Sequence, residues 1–335
     1  MARSERKRRL ALIDYKISIE TWDLKVPFVI SRRRSESAEV LTITLEHGGA
    51  VGRGEAAGIN YQGETAATMR AELEAFFMQH KEPLTRDLLM DILPAGGARN
   101  ALDCAFWDLM AKRTGKSIYE LTASDAKPVT SAITLSIDTP AKMAQKAGET
   151  PSPVLKLKLA DQSALECVEA VHQARPDVDI IVDANEALTF DLLKELAPKL
   201  ADLNVKLIEQ PLPRGEDDCL SGFNSPVPLC ADESCMTAAD VPRLQALYDA
   251  VNIKLDKCGG LTAALDLATA AELHGMDMMV GCMLGTSLAM APAMVIAPRC
   301  KYVDLDGPML LKSDREHGLR VEDGLIQPPS PLLWG

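Results

Sequence analysis

Histidine is scarce in this chain of 335 residues: five in all, scattered at His47, His80, His172, His274 and His317, with no pair at metal-binding helical spacing. The eight cysteines include no Cys-x-x-Cys pair, the closest two being Cys230 and Cys235. Neither a disulfide framework nor a zinc site fits that pattern, and the thiols read as buried apolar groups in a reducing cytosol. Positive charge falls short of negative, 36 basic against 48 acidic residues for a formal net charge of −12, which speaks against a nucleic-acid partner. No apolar run follows the basic start MARSERKRR, so a signal peptide is not expected and a cytoplasmic location is. One uncharged stretch, Met278–Pro298, could pass for a membrane span, but Gly281, Gly285, Thr286, Ser287 and Pro292 break it into strand, turn and helix. What is present is an ordinary globular balance, 47% hydrophobic and 25% charged, over a length that suits about two domains.

The rhythm of the sequence changes once. Ala11–Thr21, Val40–Glu46 and Val51–Ala57 alternate apolar with polar residues as a strand meander does. Helical patterns follow at Glu64–His80, Leu84–Ile92 and Asn100–Arg113, the last amphipathic through Leu102, Cys104, Ala105, Phe106, Leu109 and Met110. From about Val129, eight short apolar runs alternate with helical stretches: Ala132–Ile137, Val154–Leu159, Ile180–Asp183, Val205–Ile208, Leu229–Ala231, Val251–Leu255, Met278–Val280 and Tyr302–Asp304. The helices between them include Gln162–Ala174, Thr189–Leu200, Ala238–Tyr248 and Leu261–Leu273. The expectation is an α/β protein: a (β/α)8-type barrel over 126–306, an α+β capping domain over 1–125, and a segment 307–335 returning to the cap. Gly52-Arg-Gly54-Glu-Ala-Ala57 satisfies a relaxed dinucleotide fingerprint, but the loop GINYQGE follows it where a helix is required, so it belongs to the meander.

Charge inside strands is the informative anomaly. In Leu155-Lys156-Leu157-Lys158-Leu159 both lysines share one face, which in a barrel points inward. Asp183, Glu209 and Asp232 each end an apolar run, about one βα repeat apart. Each alone would read as a helix N-cap; three in register would repel unless a cation sat among them, and oxygen-only ligands suit Mg²⁺. In Val251-Asn-Ile-Lys254-Leu-Asp256, alternation turns Asn252, Lys254 and Asp256 inward, whereas Lys257 reads as structural or solvated. With Ala132–Ile137 as strand one, Lys158 lies on strand two and Lys254 on strand six, opposite each other in an eight-membered ring. Two opposed bases about a metal-held substrate carboxylate, with Lys156 and the cation stabilising the enediolate, would remove a proton from one face and return it on the other.

The ordered set KLKL, VDANEA, IEQPLP, ADES, NIKLDKCGGLT, GCMLGTSLA and DLDGP resembles the muconate-lactonising subgroup of the enolase superfamily, whose use of Lys bases with Mg²⁺-stabilised ene-diolates is general knowledge. Through ARNALDCAFWDLMAKR and DLDGP the chain is most similar to the dipeptide epimerases of that subgroup, those acting on L-Ala-D/L-Glu. That resemblance implies an isomerase inverting the α-carbon of the C-terminal residue of a dipeptide, with Lys158 and Lys254 as acid and base. It implies Asp183, Glu209 and Asp232 as ligands of one Mg²⁺ per site, and Lys156 on the substrate carboxylate. Asp304 and Asp306 would hold the dipeptide ammonium, Thr134, Cys282 and Leu284 would touch substrate, and Arg32 in a mobile loop would meet the glutamate side chain. Tyr61 would line the mouth. Rival readings are an o-succinylbenzoate synthase or cycloisomerase, for which an aspartate pair would be pointless, and a non-catalytic barrel, which needs no opposed lysines. The oligomeric state, a homo-oligomer included, is left open.

Overall fold

Alternating apolar residues at the start of the chain build an antiparallel sheet. The computed structural model describes residues 13–30, 33–80, 85–159 and 164–335. In it β1 (Asp14–Ile30), β2 (Arg33–His47) and β3 (Ala50–Ala56) pair in that order, and Leu41, Ile43 and Leu45 of β2 are fully buried. The first two strands outrun the alternating segments because their ladder resumes beyond a register shift between Asp23 and Phe28. That irregularity accommodates Pro27, which has no N–H to give to a ladder.

Four helices follow: α1 (Ala66–Gln79), α2 (Arg86–Ile92), α3 (Gly97–Thr114) and α4 (Ile118–Thr122). Thr65 caps α1 in a reciprocal pair with Thr68. Against β3, α3 packs backbone to backbone, and a Cβ at Gly52 or Gly54 would overlap the carbonyl oxygen of Ala105 or Ala101. The Gly-Arg-Gly pair serves that close approach. The polar face of α3 does not meet solvent. Arg99, Asn100, Asp103 and Asp108 are all buried: Arg99 and Asp103 bond to the barrel at Cys258, Gly259 and Thr262, and Asp108 takes the N–H groups of Arg53 and Gly335.

After β4 (Val129–Thr130) come eight parallel strands, hydrogen-bonded in chain order: β5 (Ile133–Leu135), β6 (Val154–Lys158), β7 (Asp179–Asp183), β8 (Val205–Glu209), β9 (Leu229–Ala231), β10 (Ala250–Ile253), β11 (Asp277–Val280) and β12 (Tyr302–Val303). The ends of this sheet meet where Ala132 N–H donates to Val303 O at 2.8 Å, curling it into a TIM-like barrel. The outer layer is α5 (Pro140–Glu149), α6 (Ala164–Ala174), α7 (Phe190–Asp202), α8 (Val241–Leu244), α9 (Leu255–Cys258), α10 (Leu261–Leu273) and α11 (Ser287–Met290). The helix read over Ala238–Tyr248 is cut to a 3-10 turn, Ala238–Asp240, and the short α8. Pro242 cannot continue a helix begun upstream and sits in the first turn of a new one. Met278–Pro298 is β11, α11 and 3-10 turns, and no helix among the described residues is long and apolar enough to cross a membrane.

The last segment touches both layers. β13 (Val321–Glu322) and β14 (Leu325–Ile326) extend from β4, while Lys312 N–H donates to Asp23 O at 2.8 Å. Trp334 is wholly buried, its indole N–H donating to Cys104 O at 3.0 Å, and Gly335 N–H donates to Asp108 Oδ1 at 2.8 Å. Replacing Gly54 with alanine forces α3 away from β3; we expect a loss of about 3 kcal/mol of stability, as overpacking costs, read as a lower denaturant midpoint. An unchanged midpoint would show that the close approach is dispensable.

Candidate active site

Register fixes the charged strand ends. Lys158 pairs with Asp183, and Asp183 with Glu209, across β6, β7 and β8. Asp232 follows β9 directly, and Lys254 follows β10 as the N-cap of α9. With β6 second and β10 sixth in the eight-strand order, the two lysines rise on opposite sides of the ring.

Four ammonium groups neutralise the carboxylates. Lys156 Nζ stands 2.6 Å from Glu209 Oε2, 3.0 Å from Asp183 Oδ2 and 2.7 Å from Asp304 Oδ2. Lys158 Nζ is 2.5 Å from Asp183 Oδ2, and Lys254 Nζ is 2.6 Å from Asp232 Oδ2 and 3.9 Å from Glu209 Oε1. Burial pushes Asp183 up, but the charges of Lys156, Lys158 and Lys254 outweigh it and hold the carboxyl well below its ordinary range. Asp232 is likewise held low against its burial by Lys254 and Lys257. In Glu209 burial and the charge of Asp183 prevail over Lys156 and Lys254, and its carboxyl is pushed up to about 7. Lys254 stays charged despite burial, held by Asp232, Glu209 and Asp183.

Of these residues, Lys156, Lys158, Asp232 and Lys254 form the floor of a cavity of about 680 Å³ between barrel and cap, and Asp183 and Glu209 are buried against those lysines. Its walls bring together Thr134, Lys156, Lys158, Asp232, Lys254, Cys282, Leu284, Asp304 and Asp306, and the cap adds Phe28, Glu39, Asn60 and Tyr61. Asp306 Oδ2 accepts the Thr134 N–H at 2.6 Å; burial, then the charge of Asp304, push its carboxyl up to about 7. Arg32 lies outside the described residues.

One expectation needs correction. Asp256 does not face the ring interior: the strand ends at Ile253, and the alternation carried past it meets the first turn of α9, which points Asp256 at the cap. Its Oδ1 accepts from Ala57 N–H and Gly58 N–H, each at 3.0 Å. Lys257 is structural, as read, but not solvated. It is buried, donates to the carbonyls of Asp232, Cys235 and Asn252, and lies 2.7 Å from Asp232 Oδ1.

Sequence reasoning also passed over residues that hold the floor in place. Asn185 Oδ1 accepts from Lys158 Nζ at 3.2 Å, and Asn252 Nδ2 donates to Glu209 Oε1 at 2.7 Å. Gln210 Oε1 accepts from Asp232 N–H at 2.9 Å and Ser234 N–H at 3.0 Å. A Cβ at Gly281 would stand 2.9 Å from Lys254 Cε, so only glycine leaves room for that side chain. The usable signal was position: Asn185 and Gln210 lie one or two residues past a strand-end carboxylate, and Asn252 was already on the inward face.

Asp183, Glu209 and Asp232 offer hard oxygen donors, the set that suits a divalent cation. Glu209 Oε2 and Asp232 Oδ1 are buried and accept no well-directed hydrogen bond, although each has a lysine ammonium at ion-pair distance. That is the state of acceptors suited to an ion rather than to N–H donors. With ammonium groups on the trio, no three metal-ligating side chains among the described residues converge on one point; Asp183 and Glu209 share Lys156, and Asp232 turns to Lys254 and Lys257.

A capped TIM-like barrel with lysines on opposite sides of a cluster of acidic strand ends defines a class of fold and site. Comparison with known proteins agrees. Residues 12–122 match the mandelate racemase / muconate lactonizing enzyme N-terminal domain and residues 140–331 the enolase C-terminal domain-like model, so the chain belongs to that family of the enolase superfamily. It is 48% identical over 275 residues to an N-acetyl-D-glutamate racemase of Pseudoalteromonas sp, covering 81% of this chain and 87% of that protein. It is 42% identical over 313 residues to the L-Ala-D/L-Glu epimerase of Escherichia coli (strain K12), covering 92% and 98%. An enolase family member from Agrobacterium tumefaciens with homology to dipeptide epimerases, solved with sodium and L-Ala-L-Glu, superposes with a TM-score of 0.94 at 42% identity, covering 96% of this chain and 100% of that one. Relatives of this kind are racemases and epimerases, and the chain is an isomerase.

Lys257→Met keeps the volume but frees three buried carbonyls and removes one cation from Asp232. We expect a loss of about 3 kcal/mol, measured as a lower thermal midpoint; equal midpoints would mean that the ammonium carries no structural load.

Proposed function

We propose that the chain is a metal-dependent dipeptide epimerase of the L-Ala-D/L-Glu type, inverting the α-carbon of the C-terminal residue by transfer of one proton between two bases. The observation that carries this reading is the pair of lysines on opposite sides of one carboxylate cluster, Lys158 against Asp183 and Lys254 against Asp232, at the floor of a single cavity. Asp183, Glu209 and Asp232 would hold a divalent cation, Mg²⁺ by the hardness of their oxygens. When bound, such an ion draws charge from these carboxylates, easing their hold on the lysine protons, and stabilises the negative charge that grows on the substrate carboxylate.

This chain's own residues do the rest. Lys156, buried at the centre, meets the substrate carboxylate. One of Lys158 and Lys254 enters neutral and takes the α-proton while the other, protonated, delivers its proton to the opposite face. The roles exchange for the other stereoisomer. Thr134, Cys282 and Leu284 line the substrate, and Asp304 and Asp306 receive the ammonium of a dipeptide. Burial and Asp304 raise the Asp306 carboxyl to about 7 against the weaker pull of Lys156, and a substrate ammonium would add positive charge there. Arg32 is kept as the partner of the glutamate side chain.

A second reading, racemisation of an N-acylated glutamate, is favoured by the 48%-identical relative. Such a substrate has no ammonium for Asp304 and Asp306, and this separates the two.

Lys158→Ala and Lys254→Ala should each lower epimerisation of L-Ala-L-Glu at least ~10³-fold, at the scale of a lost proton-transfer group, with the fold retained by circular dichroism. In D₂O the wild type should place deuterium at the glutamate α-carbon. Turnover preserved in either variant would remove the two-base scheme, and no exchange with any dipeptide would remove the substrate assignment. pH adds a further check. Ionised Asp306 attracts an ammonium and protonated Asp306 does not, so KM for the dipeptide should rise as pH falls through about 7. KM for N-acetylglutamate should not follow; a parallel rise for both would deny Asp306 the ammonium role.

A further inference from the structure

Among the contacts between cap and barrel are carboxylates accepting backbone N–H groups, and they run both ways. From the barrel, Asp256 takes the N–H groups of Ala57 and Gly58, each at 3.0 Å. From the cap, wholly buried Glu55 takes the Thr286 N–H at 2.8 Å and the Thr286 hydroxyl at 2.5 Å, while Arg315 faces it at 2.6 Å. Each clasp holds a loop that lines the cavity. The cap loop carries Ala57, Asn60 and Tyr61; the barrel loop carries Cys282 and Leu284.

Asp256 has a further distinction. It stands two residues after Lys254 in one tight turn, where Lys257 N–H and Cys258 N–H both donate to Lys254 O at 2.9 and 3.1 Å. The same turn therefore presents a lysine to the cavity floor and a carboxylate to the loop above it. The loop needs such an anchor. Gly58 has φ of +76°, and the next N–H, of Ile59, is taken by Glu64 Oε2 at 2.8 Å. Three successive N–H groups thus point at two carboxylates, an anion-binding nest in backbone form.

We propose that Asp256 is a positioning residue that fixes the substrate-covering loop 57–63 of the cap to the Lys254 turn of the barrel, and so sets how tightly substrate is held. This rests on the two-lysine isomerase reading above. The side chain has no reason to be buried on packing grounds alone: its burial, with the charge of Glu64, raises its carboxyl to about 6, against the hydrogen bonds of Gly58, Ala57 and the Asn100 side chain. Cys104 lies near enough to feel its charge. The cost of burying it is offset by the two backbone N–H groups and Asn100.

The test compares wild type, Asp256→Ala and Asp256→Asn in the full-length, Mg²⁺-loaded enzyme. Asparagine keeps a carbonyl oxygen in the place of Oδ1. Hydrogen–deuterium exchange without substrate should show faster uptake across 57–63 in the alanine variant and near-wild-type uptake in the asparagine variant. With L-Ala-L-Glu as probe, alanine should raise KM at least ~10-fold while kcat changes less than ~3-fold, the signature of lost ground-state holding; asparagine should restore KM. A merely structural role would instead lower kcat through loss of active protein at unchanged KM. Equal exchange of 57–63 in wild type and the alanine variant, or a fall in kcat without a rise in KM, overturns the proposal. Asp256→Ser, too short to reach both amides, is read the same way should the alanine variant fail to fold. If wild type turns over neither the dipeptide nor N-acetylglutamate, the isomerase substrate reading falls, and the exchange comparison still decides the clasp.

Discussion

Carboxylates on three consecutive strands cannot share a dry interior unless positive charge is interleaved with them. That constraint shapes the top of this barrel. Asp183, Glu209 and Asp232 occupy neighbouring positions, and the chain answers with Lys156, Lys158, Lys254 and Lys257, placed by three local rules. The first two come from alternation on one strand, the third from the residue after another strand, the last from the following helical turn. Only Lys257 is spent wholly on structure, tied to three carbonyls. The other three reach the cavity, where a second cation or a substrate can change what they are paired with.

The cap is bound to the barrel by directional polar contacts as well as by an apolar seam, in which Cys104, Trp107 and Ile118 join the barrel core. Arg99 of α3 donates to Gly259 O and Cys258 O at 3.1 and 2.6 Å, Asp103 accepts from the Thr262 hydroxyl at 2.7 Å, and the Trp107 indole donates to that same hydroxyl at 3.0 Å. Burial raises the Asp103 carboxyl to about 6. Directional bonds of this kind fix orientation where apolar packing would tolerate sliding. A cavity divided between two layers needs such orientation, since both layers contribute its walls.

Much of this was legible in the sequence, for definite reasons. Strand-end carboxylates after apolar runs announce themselves because period-two alternation and the βα repeat are local properties. The lysines of LKLKL follow from the same rule. What escaped depends on where an element stops or on partners far away in the chain. Asp256 was put on the inward face because alternation was extended beyond Ile253, where the backbone already turns into a helix. The burial of Lys257 depends on carbonyls left over from two other strand ends, which no local pattern reveals. The burial of the polar face of α3 could not be read from the sequence, since amphipathicity marks a boundary between environments without naming the second one. Glu55 sits in an ordinary strand, and only its distant partners Thr286 and Arg315 give it meaning.

The seam between Ala132 and Val303 and the seat of Trp334 beside Cys104 join segments made at widely separated times. While the polypeptide is still emerging from the ribosome, the nascent ring stands open at one edge, and the indole niche beside Cys104 waits for its plug. Completion is therefore a late event, governed by loop closure over very long sequence separations rather than by helix formation. A chain lacking Tyr302–Val303 would display an unpaired parallel edge, the kind of surface that chaperones shield and aggregates recruit.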